Sequence, residues 1–236
     1  SHAGGANNFT IYYGPGLSQS ATSSPFTLTG LNANTTYDVY VVADCGTTNG
    51  LSDSIGPVSF LTPCGLITAP FQEDFDGSTW VASGNNNNNS INPCWTSTPA
   101  TSTTTVFKWI PRSTAPTSGN GPLTDQTGTN FMYCEASGSA SGNVAELISP
   151  QIDASGLTTP GLYFQQHRFS NGNIADMLIQ VSNDFGTTWD SVYTVAGDVQ
   201  TSNSAPWLLE FVNLAAYTGD TIMVKFVQTG NGCCGD

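Results

Sequence analysis

Carboxylates gathered at one point of the chain are the residues best placed to do chemistry. The segment 71–76, FQEDFD, holds Glu73, Asp74 and Asp76 between two phenylalanines. Calcium prefers such oxygen ligands and needs roughly six to eight of them. The edge of a sheet tolerates this density of acids only with water or a cation nearby. We therefore predict a structural Ca²⁺ site here, with a second candidate at Asp125, whose alternative role is to cap its own turn.

The remaining acids and the two histidines give little support for catalysis. A glycosidase needs two carboxylates at a controlled separation in a cleft. The candidates for such a pair are Glu135, Glu146, Asp176 and Asp184. Because side chains alternate along these strands, Glu135 and Glu146 fit exposed strand positions at least as well as positions in a cleft. The only histidines are His2 and His167, and His167 follows a predicted core strand. We predict that the protein is not an enzyme.

Composition favours an all-β protein that neither binds nucleic acid nor inserts into a membrane. Only 9% of the 236 residues are charged, and Lys and Arg number 4 against 17 Asp and Glu. The formal charge of −13 repels phosphate backbones and anionic lipids. No stretch keeps apolar residues at helical spacing over three turns, and no apolar run reaches the roughly 18 residues of a membrane span. We expect almost no helix.

Six cysteines without a CxxC motif, beside only two histidines, argue for disulfides and against zinc. We predict a bond between Cys45 and Cys64, because they bracket the last hairpin of the first domain. The other four are Cys94, Cys134, Cys233 and Cys234. Adjacent cysteines rarely bond each other without strain, so one of the last two is expected to reach Cys94.

The first domain is expected to span residues 1–63. Its predicted strands are residues 9–13, 25–31, 37–43 and 58–62. Tyr37 follows Leu31 by six positions and is followed by Val39 and Val41, a pattern that resembles the tyrosine corner of a fibronectin type III module. The resemblance implies that the Tyr37 hydroxyl bonds backbone near Leu31. It also implies a module without its first two strands, cut from a longer polypeptide.

A linker is predicted over 64–70, and a second domain over 71–236. The stretch 109–150 is expected to hold two neighbouring strands, at 131–135 and 144–148. Further strands are predicted over 161–167, 177–182, 207–214 and 221–228.

Three motifs of this second domain occur in the order found in a known family. They are Gly121-Pro122 with Asp125 and Thr127, residues 133–137 (YCEAS) and residues 145–150 (AELISP). The segment resembles the MAM domain, an extracellular jelly roll, and its bacterial relatives among surface adhesins and cleaved adhesin domains. The resemblance implies binding and surface display. It also implies that the first and last strands pair, so that Asp236 joins Glu73, Asp74 and Asp76 around calcium, and that a final strand is missing.

Two short patterns remain. Residues 182–189, SNDFGTTW, fit the Asp-box SxDxGxTW and predict a hairpin turn closed by Asp184 and plugged by Trp189. Asp-Ser/Thr-apolar triplets, which resemble the O-glycosylation pattern of gliding bacteria, predict sugars on Ser54, Ser191 and Thr221. In a eukaryotic secretory route the sequons at Asn8, Asn34 and Asn88 are the alternative.

These observations predict two β-sandwiches in a large secreted cell-surface adhesin, of the kind exported by bacterial type IX secretion and used in gliding. The expected partners are a glycan or surface substratum and neighbouring domains of the same polypeptide. The alternative is a carbohydrate-binding accessory module of a secreted hydrolase or protease. In that case the candidate contact residues are Trp80, Trp95, Trp109 and Trp207.

Overall fold

The chain consists of two compact units, Ser1–Gly65 and Leu66–Asp236. The computed structural model describes residues 8–82, 89–99, 107–114, 121–134, 142–169 and 174–230. Helix in these residues amounts to a single turn, α1 (Gly46–Asn49), and a 3-10 turn at Ala215–Tyr217. The predicted all-β class is confirmed.

The first unit contains a 4-stranded antiparallel sheet with the order β2-β1-β3-β4. Its strands are β1 (Asn8–Tyr13), β2 (Ser18–Ala21), β3 (Thr36–Asp44) and β4 (Ile55–Leu61). Side chains alternate, so that Ile11 and Tyr13 on β1 are buried beside Tyr37 and Ala43 on β3. The strand predicted over 25–31 is wrong, because the Thr29 carbonyl accepts a hydrogen bond from the Gln19 side chain at 2.8 Å and joins no ladder.

The predicted tyrosine corner is present in the first unit. The Tyr37 hydroxyl accepts a hydrogen bond from the backbone N–H of Asn32 at 2.9 Å, and the Tyr37 ring is buried. Thr62 completes the corner, since its hydroxyl donates to the Asn32 carbonyl at 2.6 Å. The loop before β3 is thereby held against the sheet.

Within the described residues, the second unit contains eleven strands. These are β5 (Ile67–Thr68), β6 (Thr96–Thr98), β7 (Ile110–Arg112), β8 (Phe131–Tyr133), β9 (Val144–Ile148), β10 (Ile152–Asp153), β11 (Gly161–Gln166), β12 (Met177–Ser182), β13 (Asp190–Val195), β14 (Leu208–Asn213) and β15 (Thr221–Thr229). A 7-stranded sheet has the order β13-β12-β15-β10-β5, with β9 also paired to β15 and β6 paired to β9. The strand pairs β11-β14 and β7-β8 form separate 2-stranded sheets.

The core of the second unit lies between the 7-stranded sheet and the β11-β14 pair. Met177, Ile179 and Val181 alternate on β12 and are buried against Val212 of β14. Across the layers, Phe164 of β11 meets Phe226 of β15 edge to face at 5.5 Å. Burying one such side chain stabilises the fold by about 1.5–3 kcal/mol. The two layers therefore form a sandwich.

The prediction that the strands at 131–135 and 144–148 are neighbours does not hold. The strands β8 and β9 are not adjacent, because β8 pairs with β7 while β9 pairs with β15 and β6. Which strands pair depends on long-range register, and alternation along each strand does not reveal it. The segment predicted as a linker contains β5, which pairs in parallel with β10 through Ile67 and Ile152.

Candidate ligand-binding face

Two of the acids predicted to bind calcium converge on one glycine. A Cβ atom built on Gly128 would lie 1.7 Å from Asp76 Oδ2 and 3.3 Å from Asp125 Oδ2, so these oxygens are separated by at most the sum, about 5 Å. Asp76 accepts hydrogen bonds from the backbone N–H of Thr129 at 3.0 Å and of Asn130 at 2.8 Å. Asp125 accepts from the N–H of Gly128. Both carboxylates thus cap the loop that leads into β8.

The other acids of the predicted site point elsewhere. Glu73 faces aromatic rings, and burial raises its pKa, opposed by hydrogen bonds from the Phe75 backbone and from the indoles of Trp80 and Trp95. Asp74 accepts from the N–H of Asp76 at 3.0 Å. Asp236 lies outside the described residues.

The described residues therefore supply only part of the predicted calcium site. Within the described ranges no group of three or more His, Cys, Asp or Glu side chains is placed to hold a metal ion. Two carboxylates fall short of the roughly six to eight oxygens that calcium requires. Calcium binding stays a prediction, and uptake in calorimetric titration with a melting shift on chelation would support it.

The predicted Cys45–Cys64 disulfide is wrong. Cys45 carries a free thiol, whereas Cys64 and Cys94 are both disulfide-bonded. In the antiparallel register Leu61 lies opposite Thr36, so residue 64 extends beyond one end of β3 and Cys45 beyond the other. Nine strand residues at about 3.3 Å each separate those ends, far more than a disulfide can bridge. Cys134 is buried, and Cys233 and Cys234 lie outside the described residues.

The predicted glycosylation positions differ in exposure. Ser54 and Ser191 are exposed, and Thr221 is half-buried at the start of β15. Ser191 also accepts a hydrogen bond from the Gln180 side chain at 3.1 Å. Attachment of sugar to any of the three stays a prediction.

The carboxylates considered for catalysis are engaged in structural contacts where the structure describes them. Glu146 forms a salt bridge with Lys225 at 3.0 Å. Asp176 accepts from the Gly197 N–H at 3.0 Å. Asp184 accepts from the Thr188 N–H at 2.9 Å, so the Asp-box forms the predicted hairpin turn between β12 and β13. Glu135 and His2 lie outside the described residues.

None of the four tryptophans predicted as sugar contacts is exposed. Trp80 and Trp95 are buried and meet edge to face at 5.8 Å. Trp109 and Trp207 are half-buried, and Trp207 donates its indole N–H to the Thr124 carbonyl at 3.0 Å.

Exposed aromatic residues instead occupy the outer side of β11-β14. Alternation and register place one set of side chains on this side, away from the core. We call this set the outer face, and it consists of Gly161, Tyr163, Gln165, Leu209, Phe211 and Asn213. Tyr163, Phe211 and Leu209 are 65%, 50% and 60% exposed. Single exposed apolar side chains are common on protein surfaces, but three on one side of a strand pair form a patch that requires an explanation.

The two rings of the outer face form one surface. Tyr163 and Phe211 are directly opposite in the ladder, and their centroids are 4.8 Å apart with an interplanar angle of 38°. A Cβ atom on Gly161 would lie 2.5 Å from Phe211 Cε2, so the Phe211 ring lies over a bare stretch of backbone. The absence of a side chain at position 161 thus permits the ring position.

Amides flank the two rings. Gln165 lies opposite Leu209, and Asn213 lies opposite Gly161. The Asn213 Oδ1 accepts from the Ala215 N–H at 2.9 Å, which identifies Nδ2 as the other polar atom of this amide, a donor. No side chain of the outer face carries a charge at neutral pH, and aromatic faces beside amides suit an uncharged ligand rich in C–H and O–H groups.

The sequence contains a signal for this face, although none of the predicted site residues lies on it. In the segment LYFQQ, residues 162–166, Leu162 and Phe164 point to one face of the sheet and Tyr163 points to the other. A strand with one buried face usually carries polar residues on its solvent-facing side. An aromatic residue on that side therefore indicates a role other than packing in the core.

The fold is that of an all-β sandwich protein, and one strand pair carries an exposed aromatic surface. No protein family matches the sequence, and neither does any curated protein. Among solved structures, one of the carbohydrate-binding modules of the β-sandwich superfamily is 14% identical, with 97% of this chain and 80% of that chain covered and a TM-score of 0.33. The Stig cyclase Fisc from Fischerella sp. TAU is 13% identical, with 59% and 77% covered and a TM-score of 0.35. Likeness at these scores assigns no function.

Proposed function

We propose that this chain is a non-catalytic adhesion module that binds neutral carbohydrate through the outer face. The observation that carries the proposal is the pair of exposed rings, Tyr163 and Phe211, fixed in register on β11 and β14 beside two amides. Pyranose rings present flat C–H surfaces that pack on aromatic rings, while their hydroxyls bond amides.

The chemistry of the face favours a neutral sugar over a charged one. The chain carries a formal charge of −13 and the outer face has no cation, so an acidic glycan would meet repulsion without compensation. A basic protein partner would need carboxylates, which the outer face does not carry.

The setting of this activity is part of the same proposal. Disulfide bonding of Cys64 and Cys94 fits an oxidising extracellular compartment. Within the part of the chain that the structure describes, no helix has the length and apolar character of a membrane span. The resemblance to fibronectin type III and MAM domains supports placement in a bacterial surface adhesin, with export by type IX secretion as the expected route.

A glycan array with purified variants tests the proposal. We expect wild-type protein to bind neutral glycans, and Tyr163→Ala and Phe211→Ala each to weaken binding by about tenfold, since removing a central aromatic contact costs about 1–2 kcal/mol. Phe185→Ala is the matched control, because Phe185 is an exposed aromatic residue on the Asp-box turn and is not part of the outer face. Equal binding by all four proteins, or binding to no glycan, would contradict the proposal.

A further inference from the structure

The two rings of the outer face lie one after the other along β11. Tyr163 belongs to β11, whereas Phe211 stands directly opposite it on β14. The Phe211 ring extends across to β11, because its Cε2 atom lies 2.5 Å from the place that a Cβ on Gly161 would take. Gly161 precedes Tyr163 by two residues and lies on the same side of the strand. The two rings therefore form a row that follows the direction of β11.

Amide groups lie at both ends of this row. Gln165 follows Tyr163 on the same side of β11, and its side chain is exposed. Asn213 lies opposite Gly161, at the end of the row that the Phe211 ring covers. At about 3.3 Å per strand residue, the row from position 161 to position 165 is about 13 Å long. A single pyranose ring is much shorter than this and cannot reach both amides.

The distance and the tilt between the two rings restrict the ligand that can contact both. Their centroids are 4.8 Å apart, and their planes are inclined by 38°. The separation is close to the repeat of one pyranose unit in a linear chain, so two neighbouring sugar units can each pack on one ring. Because the ring planes are inclined, these two units must be inclined to each other as well. A flat ribbon of sugars would pack well on only one of the rings.

The exposure of the row argues against recognition of a terminal sugar. Tyr163 is 65% exposed, and Leu209, which lies opposite Gln165, is 60% exposed. Side chains with this much free surface contact a ligand from one side and do not enclose it. Recognition of a chain end requires contacts that surround the terminal unit, as in a concave pocket.

Resting on the proposed function, we infer that the outer face binds the interior of a single neutral polysaccharide chain that lies along β11. Two consecutive sugar units pack on Tyr163 and Phe211, and a third unit reaches the Gln165 amide. Successive units of this chain are inclined to one another, so a soluble chain is preferred over the flat surface of a crystalline polysaccharide. The smallest ligand that makes all of these contacts is a trisaccharide segment.

Isothermal titration calorimetry of the whole chain with sugars of increasing length tests the inference. The probes are linear β-linked oligomers of glucose, mannose and xylose, each with one to six units. For the series that binds most tightly, we expect the affinity to rise about tenfold from one to two units and about threefold from two to three. From four to six units it should change by less than about twofold, because the row has no further contacts to offer.

A variant of the terminal amide locates the third unit. Gln165→Ala should bind the disaccharide as wild-type protein does and should lose the threefold gain for the trisaccharide. Gln151→Ala is the matched control, because Gln151 is an exposed glutamine that is not part of the outer face. A retained gain in Gln165→Ala would overturn the placement of the chain along β11.

The length series on wild-type protein separates failure of this inference from failure of the proposed function. Equal affinity for one unit and three units, with binding still weakened by Tyr163→Ala, would overturn the inference and leave sugar binding by the outer face in place. Binding to none of the three series, or tighter binding to microcrystalline cellulose than to every soluble oligomer, would overturn the inference too. Absence of binding to any neutral glycan on the array would overturn both.

Discussion

At the residue scale, the Asp184 carboxylate closes the turn between β12 and β13. Its Oδ1 accepts from the N–H groups of Thr188 at 2.9 Å and Thr187 at 3.0 Å, and its Oδ2 accepts from the Thr188 hydroxyl at 2.7 Å. These bonds, with that from the Thr188 backbone foremost, lower the pKa of Asp184 from 3.8 to about 2. Asp184 therefore has a structural role.

The lowered pKa of Asp184 predicts a specific acid response. The unfolded state takes up the proton at higher pH than the folded state, so the contribution of Asp184 is present above about pH 4 and is lost as pH falls through about 2. We expect Asp184→Asn to be less stable at neutral pH and to lose stability less steeply between pH 4 and pH 2. Urea denaturation at a series of pH values measures this, and parallel pH profiles would contradict it.

The cysteines predict a second result at the residue scale. In native, non-reduced protein, iodoacetamide should modify Cys45, which is half-exposed with a free thiol, and should leave Cys64 and Cys94 unmodified. Peptide mass spectrometry reads each position separately. Protection of Cys45, together with modification of Cys64, would show that the disulfide assignment is wrong.

At the scale of the element, β11 and β14 position the rings of the outer face. Tyr163 and Phe211 are in contact because they are opposite in the ladder. The Phe211 ring packs over Gly161 because glycine has no side chain at that place. The inner phase of the same strands holds Leu162 and Val212 in the core. Core packing on one side therefore fixes the aromatic surface on the other.

A methyl group at position 161 tests whether the position of the Phe211 ring determines the affinity for sugar. Gly161→Ala would put Cβ at 2.5 Å from the Phe211 ring and displace it, so we expect neutral-glycan binding to fall about fivefold or more. Gly156→Ala is the control, because its Cβ would meet no atom within 4 Å. Melting temperatures of both variants show whether the change is local. Unchanged sugar binding by Gly161→Ala would mean that the Phe211 ring position is unimportant.

Strands with clear alternation were predictable from the sequence. The segments at 144–148 and 177–182 coincide with β9 and β12, since each alternates core and outward residues within one run. Short strands such as β5 and β6 could not be predicted, because two or three residues carry no periodic signal. The pairing of β8 with β7 depends on contacts between distant segments, which a single sequence does not encode as a local pattern.

The candidate site was less predictable than the strands. Tryptophan content suggested sugar contacts, yet Trp80 and Trp95 fill the core, because large rings bury the most apolar area. The acids Asp76 and Asp125 were assigned to separate sites and instead converge on the loop at Gly128. Both outcomes depend on which way a side chain points after the layers pack.

At the scale of the whole molecule, the net charge affects the binding of charged ligands much more than that of neutral ligands. A formal charge of −13 makes any interaction with an ionic ligand depend on salt, since exposed charges are screened within about 8 Å at physiological ionic strength. A neutral sugar bound by aromatic rings and amides interacts only weakly with the net charge, so its affinity depends little on salt.

Salt dependence therefore gives a whole-molecule prediction. We expect the dissociation constant for a neutral glycan selected on the array to change by less than about twofold between 0.05 and 0.5 M NaCl. Isothermal titration calorimetry at the two concentrations measures it, with an acidic glycan of the same length as the comparison. A steep loss of affinity for the neutral glycan with salt would point to ionic contacts instead.

Chemical-shift mapping of isotope-labelled protein with that neutral glycan locates the binding surface directly. We predict saturable shifts confined to the strands that carry the outer face, largest at Tyr163, Gln165 and Phe211, with the tip of the Asp-box turn unaffected. Shifts that saturate elsewhere in the chain while these three positions stay still would contradict sugar binding on β11 and β14.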